Sequence, residues 1–490
     1  VALPGSFIRD DTFNFTPGLP LYVSGTLGAM THTKPSGSGD IVRAVGYALK
    51  ADISTINGIA EDDIASWNGT AAGDVTSVNG NDWPHLNTGG LYYWGTGNYV
   101  NAAGALGGSA GSTVQHPIQV GSDTDWAGTM GGADGGYATK SNGKLYAYGR
   151  NQGGQLGIGS TENQSAPVQV GSATDWLGSK DGNGLNKGAN KTVIKSDGTM
   201  WSWGQNFFGS LGLGDVGVHT FAAAGGVSVP TQVGSATDWT NVNNGIYVTI
   251  AINSSGHLYF AGWNSKGQFG NSTSDPDRND NGGSNAVAFT RLGSDTDWAR
   301  VSIGGGNWVI ATKTDGTLWS WGEQASNRGG ILGDGNGSAH NRSSPVQIGT
   351  DTNWDIPSAG DFHNQCTKTD GTCWGWGVNS SADQLGLTVP GGTRDRKNYS
   401  APVQMGTGTT WGANGFTEGG TQACQATVIA MAGGSGALTS DGKMWHWGSG
   451  NANAPWNSTF DASGPTQVGS STDWISLSFN SASAQMIEKV

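Results

Sequence analysis

Charge is scarce in this chain. Asp, Glu, Lys and Arg make up 12% of its 490 residues, about half the usual share. The balance is acidic, 24 basic against 37 acidic residues for a net charge of -13. Nucleic-acid binders draw their affinity from Lys and Arg that neutralise phosphates, so that class of partner is not expected, and anionic membrane surfaces are disfavoured for the same reason. No apolar run approaches the roughly 18 residues of a membrane-spanning helix, which argues against membrane insertion. Three cysteines, Cys366, Cys373 and Cys424, are too few for a disulfide framework. Cys366 and Cys373 flank a turn and could lie on adjacent strands, where pairing would depend on register. Buried thiols acting as small hydrophobes are the plainer expectation. Nucleophile and phosphate-loop motifs are also missing, with no Gly-x-Ser-x-Gly, His-Glu-x-x-His or Walker sequence, so the chain is not expected to be an enzyme. It starts at Val1 without a signal peptide, which reads as a processed product or a fragment.

What the chain has in quantity is glycine, 85 residues, and tryptophan, 21 residues. The tryptophans are not scattered. A phrase such as Asp315, Gly316, Thr317, Leu318, Trp319, Ser320, Trp321, Gly322 recurs from Asn142, Asp197, Ser255, Asp370 and Asp441, with a degenerate first copy at Gly89 to Gly95. A second phrase, Val-Gly-Ser-x-Thr-Asp-Trp and its variants, ends at Trp126, Trp176, Trp239, Trp298, Trp354, Trp411 and Trp474. A fixed period of this length signals stacked supersecondary units.

The unit from Trp298 to Trp354 shows what each copy builds. Val301 to Ile303 and Trp308 to Lys313 alternate as strands, and Asp315-Gly316 supplies a tight turn. In the next strand a period of two puts Trp319 and Trp321 on one face. Pro345 to Ile348 makes a fourth strand. Four antiparallel strands repeated in this way predict an all-β, seven-bladed β-propeller. The chain's last stretch, from Trp474 to Val490, matches the first half of a unit, whereas the copy at Gly89 begins halfway through one. The C-terminal strands are therefore expected to pair with the first blade and close the ring. Asp125, Asp175, Asp238, Asp297 and Asp473 recur before Trp and are expected to accept backbone hydrogen bonds at strand ends. His446 stands between Trp445 and Trp447, where other copies have Ser, and reads as structural.

These phrases, with Gly154, Gln155, Leu156, Gly157 and variants at 209–212, 267–270 and 384–386, resemble the regulator-of-chromosome-condensation repeat. The resemblance spans about residues 85–490 and implies a seven-bladed propeller; it implies little about activity, because propellers host unrelated functions. Residues 1–50 do not follow the repeat. Pro20, Leu21, Tyr22 and Val23, with the run from Lys34 to Tyr47, resemble a small β module in structural proteins of tailed bacteriophages, marine ones especially. Residues 51–84 carry a shorter repeat of 11 residues with Asn57-Gly58, Asn68-Gly69 and Asn79-Gly80, similar to repeats in phage fibres. Three parts follow: a virion-attachment or oligomerisation module at 1–50, a repeat linker at 51–84 and the propeller at 85–490.

Candidate site residues lie in what varies between copies. Asp277, Asn279 and Asn281 with Asp275 nearby have the start of a calcium-loop spacing, but Ala288 stands where the twelfth-position Glu should be. Calcium is thus a weak candidate, and no other cofactor is expected. The loops before the Pro-x-Gln strands hold Phe207, Phe208, His219, Phe221, Arg394, Arg396 and Tyr399, a mixture suited to glycan or protein recognition. The sequence therefore leads to a structural protein of a phage virion, a fibre or surface appendage at the particle surface. It would contact other virion proteins and a host cell-surface glycan or protein, as a homo-oligomer for which a trimer is the candidate state. The alternative is a secreted bacterial protein-binding propeller such as an enzyme inhibitor.

Overall fold

The structure, a computed structural model, describes residues 22–23, 30–31, 55–56, 59–60, 66–67, 70–71, 77–78, 81–82, 89–96, 113–132, 135–177, 183–186, 188–214, 226–272, 285–305, 307–324, 330–338, 340–379, 384–389, 393–394, 397–406, 427–429, 434–439, 442–448, 462–479 and 483–489. The chain divides into two units, residues 1–87 with 417–420 and residues 88–416 with 421–490. In the first, short strands pair antiparallel: Tyr22–Val23 with Met30–Thr31, Thr55–Ile56 with Ile59–Ala60, Ser66–Trp67 with Thr70–Ala71, and Ser77–Val78 with Asn81–Asp82. The last three pairs follow the sequence repeat, and each flanks one Asn-Gly. Two intervening residues of that type are the usual signal of a tight hairpin. Most of the module expected over residues 1–50 lies outside the described residues.

The second unit is a β-propeller with no α-helix among its described residues. Its strands form six sheets of three or more strands, not seven separate ones. The difference in number arises at one place, and a second departure moves a strand between sheets without changing the number. A single pairing, Trp126 with Gly89, joins two repeats into one eight-stranded sheet. Inside that sheet Ser483–Lys489 pairs antiparallel along the whole of Gly89–Gly95, from Lys489 opposite Gly89 to Ser483 opposite Gly95. The second departure is at Asn183–Asn186, which pairs parallel with Trp239–Asn244 and leaves Asn190–Ile194, Met200–Gly204 and Val227–Gln232 as a three-stranded sheet. Among the described residues just before it, a bridge joins Trp176 to Lys195.

Where the repeat is intact, its periodicity is obeyed. The strands Met200–Gly204, Leu318–Gly322 and Cys373–Gly377 share one burial pattern, with the first Trp half-buried and the second buried. Trp298 meets both tryptophans of its own unit, Trp319 at 6.1 Å and Trp321 at 5.6 Å, so the pair does share a face. Trp203, Trp308, Trp321, Trp376 and Trp447 are fully buried. Each removes some 150–250 Å² from water, roughly 4–6 kcal/mol of gross hydrophobic gain before entropy. Outer strands carry a proline, as at Pro167, Pro230, Pro345 and Pro402, which blunts a sheet edge against further pairing.

The units are tied to each other by the second tryptophan. Trp203 donates its indole N–H to the Gln155 carbonyl at 2.9 Å, Trp321 to Gln268 at 2.8 Å and Trp376 to Ile331 at 2.9 Å. Each acceptor belongs to the loop of the preceding unit. Two residues beyond it stands a glycine whose missing side chain makes the contact possible. A Cβ on Gly157, Gly270 or Gly333 would sit 2.8, 2.9 or 2.7 Å from the indole nitrogen of Trp203, Trp321 or Trp376. The Gly-x-Leu-Gly element and the Trp-x-Trp element, far apart within a repeat, are thus two halves of one inter-unit joint.

The Asp residues before Trp do different work from that expected. Asp125, Asp175 and Asp297 bind Lys140, Lys195 and Lys313 at 2.9–3.0 Å. Asp238 instead accepts from the Asn253 side chain at 2.9 Å. Each lysine also lies over two aromatic rings, as Lys313 does over Trp298 and Trp319 at 4.7 and 4.9 Å. Lys368, with Asp351, Trp354 and Trp374, repeats the arrangement. Burial works to lower the Lys313 pKa, but hydrogen bonds to Asp295 and Asp297 carry it above the usual lysine value. The turn aspartates form a second repeated motif. Trp319 donates to the Thr317 hydroxyl at 2.8 Å, which donates to Asp315 at 2.7 Å, and the bond from that hydroxyl lowers the Asp315 pKa.

Cys366 and Cys373 are free and buried. Cys366 is opposite Trp374 and Cys373 opposite Thr367, so the thiols point to opposite sheet faces and cannot pair. His446 is buried, and burial lowers its pKa to about 4, holding the imidazole neutral. Lys191 is the least expected core residue. Only 1% exposed, it has its ammonium 4.5 Å from the Tyr137 ring and 3.4 Å from the Gly131 carbonyl, and burial lowers its pKa to about 7.

Three outcomes are expected. Removal of residues 475–490 strips the partners from Gly89–Gly95 and should give aggregation on light scattering and a lower melting temperature. Gly333→Ala should cost at least about 2 kcal/mol in denaturant unfolding, because the added methyl meets a rigid indole. The unfolded lysine protonates near 10.5 and the folded one near 7, so stability should fall as pH drops from about 10 to 7 and level off below. Lys191→Met should abolish that slope and raise stability at pH 7; a slope unchanged in the variant would refute the assignment.

Candidate binding face

In a four-stranded antiparallel unit, the loop from first to second strand and the loop from third to fourth emerge at the same end. The backbone joins them here: Gln205 donates to the Ala189 carbonyl at 2.9 Å, Trp263 to Tyr247 at 2.9 Å, Glu323 to Asn307 at 3.1 Å and Val378 to Phe362 at 2.9 Å. A buried amide then organises each third-to-fourth loop. Asn151, Asn206, Asn264 and Asn379 accept from the N–H groups of Leu156, Leu211, Phe269 and Leu385 at 2.9–3.0 Å, and Gln324 does the same for Leu332 at 3.0 Å. Loops built on such a frame present their variable side chains from a rigid base.

One junction departs from the repeat. Phe207–Gly209 forms a short 3-10 turn, and Phe208 has a φ of 56°, in the left-handed region. A ring-bearing residue there costs on the order of 1 kcal/mol. What holds it is aromatic. Phe208 stacks on Trp263 at 5.5 Å with 20° between planes. Tyr247 meets Phe207, Phe208 and Trp263 edge-on at 5.9, 5.6 and 5.8 Å. Such pairs contribute about 0.5–1.5 kcal/mol each beyond area burial. Phe208 and Tyr247 are half-buried, whereas Phe207 and Trp263 are buried.

Of the residues singled out from sequence, Phe207 and Phe208 are thus brought together. Tyr399 is placed elsewhere, half-buried in the strand Tyr399–Gln404, where it packs on the clusters containing Trp376 and Cys373. The Lys397 ammonium lies 5.6 Å from its ring. Arg394 ends the short strand Thr393–Arg394, paired with Thr388–Val389. His219, Phe221, Arg396 and the calcium candidates Asp275, Asp277, Asn279 and Asn281 lie outside the described residues. Among the described residues, no three His, Cys, Asp or Glu side chains gather to hold a metal ion. Sequence reasoning missed Tyr247 and Trp263. A signal existed for the latter, since it follows the repeat's Gly262 where other copies have Arg150, Gln205, Glu323 and Val378.

Comparison with known proteins fits this geometry. Residues 142–177 and 197–252 match the Regulator of chromosome condensation (RCC1) repeat family. The propeller is RCC1-like. Yeast RCC1 (Prp20), solved bound to Kap60, superposes with a TM-score of 0.62 at 14% identity, covering 83% of this chain and 91% of that one. Prp20p from Saccharomyces cerevisiae, described with its binding properties to Gsp1p and histones, gives 0.62 at 15% identity over 82% and 92%. Human WBSCR16 gives 0.61 at 16% identity over 82% and 98%. Identities this low establish a shared fold alone. No curated protein matches the chain in sequence.

If the buried amides set the loops of this RCC1-like ring, Asn264→Ala should leave the Phe269 N–H unpaired and lower the melting temperature, at a cost of about 1–3 kcal/mol. An exposed substitution such as Val229→Thr should stay within about 0.5 kcal/mol. Paired thermal melts check both.

Proposed function

We propose that this chain is a recognition propeller of a phage virion surface, binding a host-surface or neighbouring virion component through its third-to-fourth strand loops and carrying out no reaction of its own. In this reading the eight-stranded sheet counts as two blades of a sevenfold ring, with Trp474–Phe479 and Ser483–Lys489 completing the blade of Gly89–Thr96. One observation carries the binding role. The residues that recur in the repeats are taken up by the fold: the second tryptophans by inter-unit joints, the lysines by carboxylates and rings, the amides by loop N–H groups. Distinctive chemistry is left to the loops that differ, above all the aromatic group at Phe208. The yeast proteins of similar fold are described with protein partners, Kap60, Gsp1p and histones, which favours binding over catalysis for this architecture.

The virion setting rests on the phage-like pattern of residues 1–50, the Asn-Gly repeats and the lightly charged, glycine-rich composition. An appendage of this kind assembles with itself, most simply as a trimer, and touches other virion proteins. Mass spectrometry of purified particles is the test. The chain should be present in stoichiometric amount, and its mass in solution should be that of an oligomer. Its absence from particles would sink the virion role, and a monomer would remove the appendage geometry.

A further inference from the structure

We infer that Phe208, Tyr247 and Trp263 form a carbohydrate subsite that takes a neutral pyranose ring against its aromatic surface. This deepens the binding role proposed above and rests on it. The first ground is the backbone. Aligned on the glycine that follows, Phe208 occupies the position of Gly153 and Lys266 in the flanking units, and neither of those has a positive φ. The loop therefore has an unstrained path at this point. Among these three described copies Phe208 leaves it, and it does so with the residue type for which leaving is costly. A ring wanted only for core packing has no need of the detour.

The second ground is where the rings stand. Trp263 and Phe207 are buried behind, while Phe208 and Tyr247 are half-buried in front. Beside Tyr247 is Ile246, 38% exposed and among the few large hydrophobics at the described surface. The front therefore has an apolar part made of rigid planes, locked by the stack on Trp263.

The third ground is charge. In the described stretches that build this corner, 204–214, 245–249 and 261–270, Lys266 is the one charged side chain, among amides, hydroxyls and apolar groups. An anionic ligand would meet a single cation here, and the protein as a whole is acidic. A neutral sugar fits better. The axial C–H bonds of a pyranose are weakly positive and pack on the negative face of an aromatic ring, and its hydroxyls exchange hydrogen bonds with neutral polar groups.

The test uses the whole chain on a printed array of neutral hexose and N-acetylhexosamine oligosaccharides, followed by calorimetry with the best-bound sugar. Binding in the range of about 10 μM to 1 mM is expected, as for a small ring-stacking contact. Phe208→Gly and Tyr247→Ala should each weaken it at least tenfold. Because glycine suits a left-handed backbone, relief of strain offsets part of the stacking lost in Phe208→Gly, so its melting temperature should fall only modestly and the fold persist at assay temperature. Phe208→Leu, which keeps apolar bulk without the ring plane, should lose binding as well. Failure of the chain to bind any arrayed sugar, or undiminished binding in Phe208→Gly, overturns the subsite. So does a variant set in which affinity loss follows only loss of fold. A chain found in particles that binds its target as protein through these rings, with no sugar bound, would overturn the subsite and leave the recognition role standing. A chain that binds sugar but is missing from particles would do the reverse.

Discussion

The ring depends on an indole reaching across a boundary. In each regular unit the second tryptophan leaves its own sheet, fills the space over a glycine of the preceding loop and donates to the carbonyl two residues before that glycine. One contact thereby combines hydrophobic burial, a hydrogen bond and a steric requirement that no other residue type meets at both ends. Further links run beside it. The Ser302 hydroxyl accepts from the Ala359 N–H, and the Asn243 side chain accepts from the Ile303 N–H, in each case between neighbouring innermost strands. The loops also reach forward, with the Gly159 N–H bonded to the Ser228 carbonyl and the Gly335 N–H to Ser400. The sheets do not simply sit next to each other; each completes the polar accounts of its neighbour.

That constraint explains which parts of the fold were legible in the sequence. A period of two in Leu318, Trp319, Ser320 and Trp321, a turn at Asp315-Gly316 and a proline in the outer strand are local facts, and each was realised. The lysine boxes were not legible. Lys140 and Asp125 are separated along the chain by a whole strand, and the attraction between them depends on two rings that only the folded sheet brings alongside. The sequence offered Asp before Trp, and a turn role was the natural reading for it. Likewise the count of blades was read from seven phrases, whereas the division into six sheets turns on one backbone pairing at Trp126.

The candidate site was half legible for the same reason. Phe207 and Phe208 announced themselves as aromatics in a variable loop, but their partners Tyr247 and Trp263 come from the next unit, some 40 to 55 residues on. Tyr399 looked equivalent in sequence and is not, because a strand position turns its ring towards two core clusters. Aromatic residues in a repeat protein are therefore poor guides to function one at a time. What distinguishes Phe208 from Tyr399 in the structure is the backbone beneath it, and a left-handed phenylalanine has no sequence signature of its own.

The pairing of Ser483–Lys489 with Gly89–Gly95 also has a meaning in time. Its two partners stand about 400 residues apart along the chain, so the earliest strand of the propeller cannot find its neighbour until nearly all the rest has been synthesised. The entropy lost in closing so long a loop makes this non-local pairing slow to form. Until then Gly89–Thr96 must wait with an open edge, in a state exposed to pairing with other chains. The vulnerable interval for this strand thus falls during synthesis, before its partner exists.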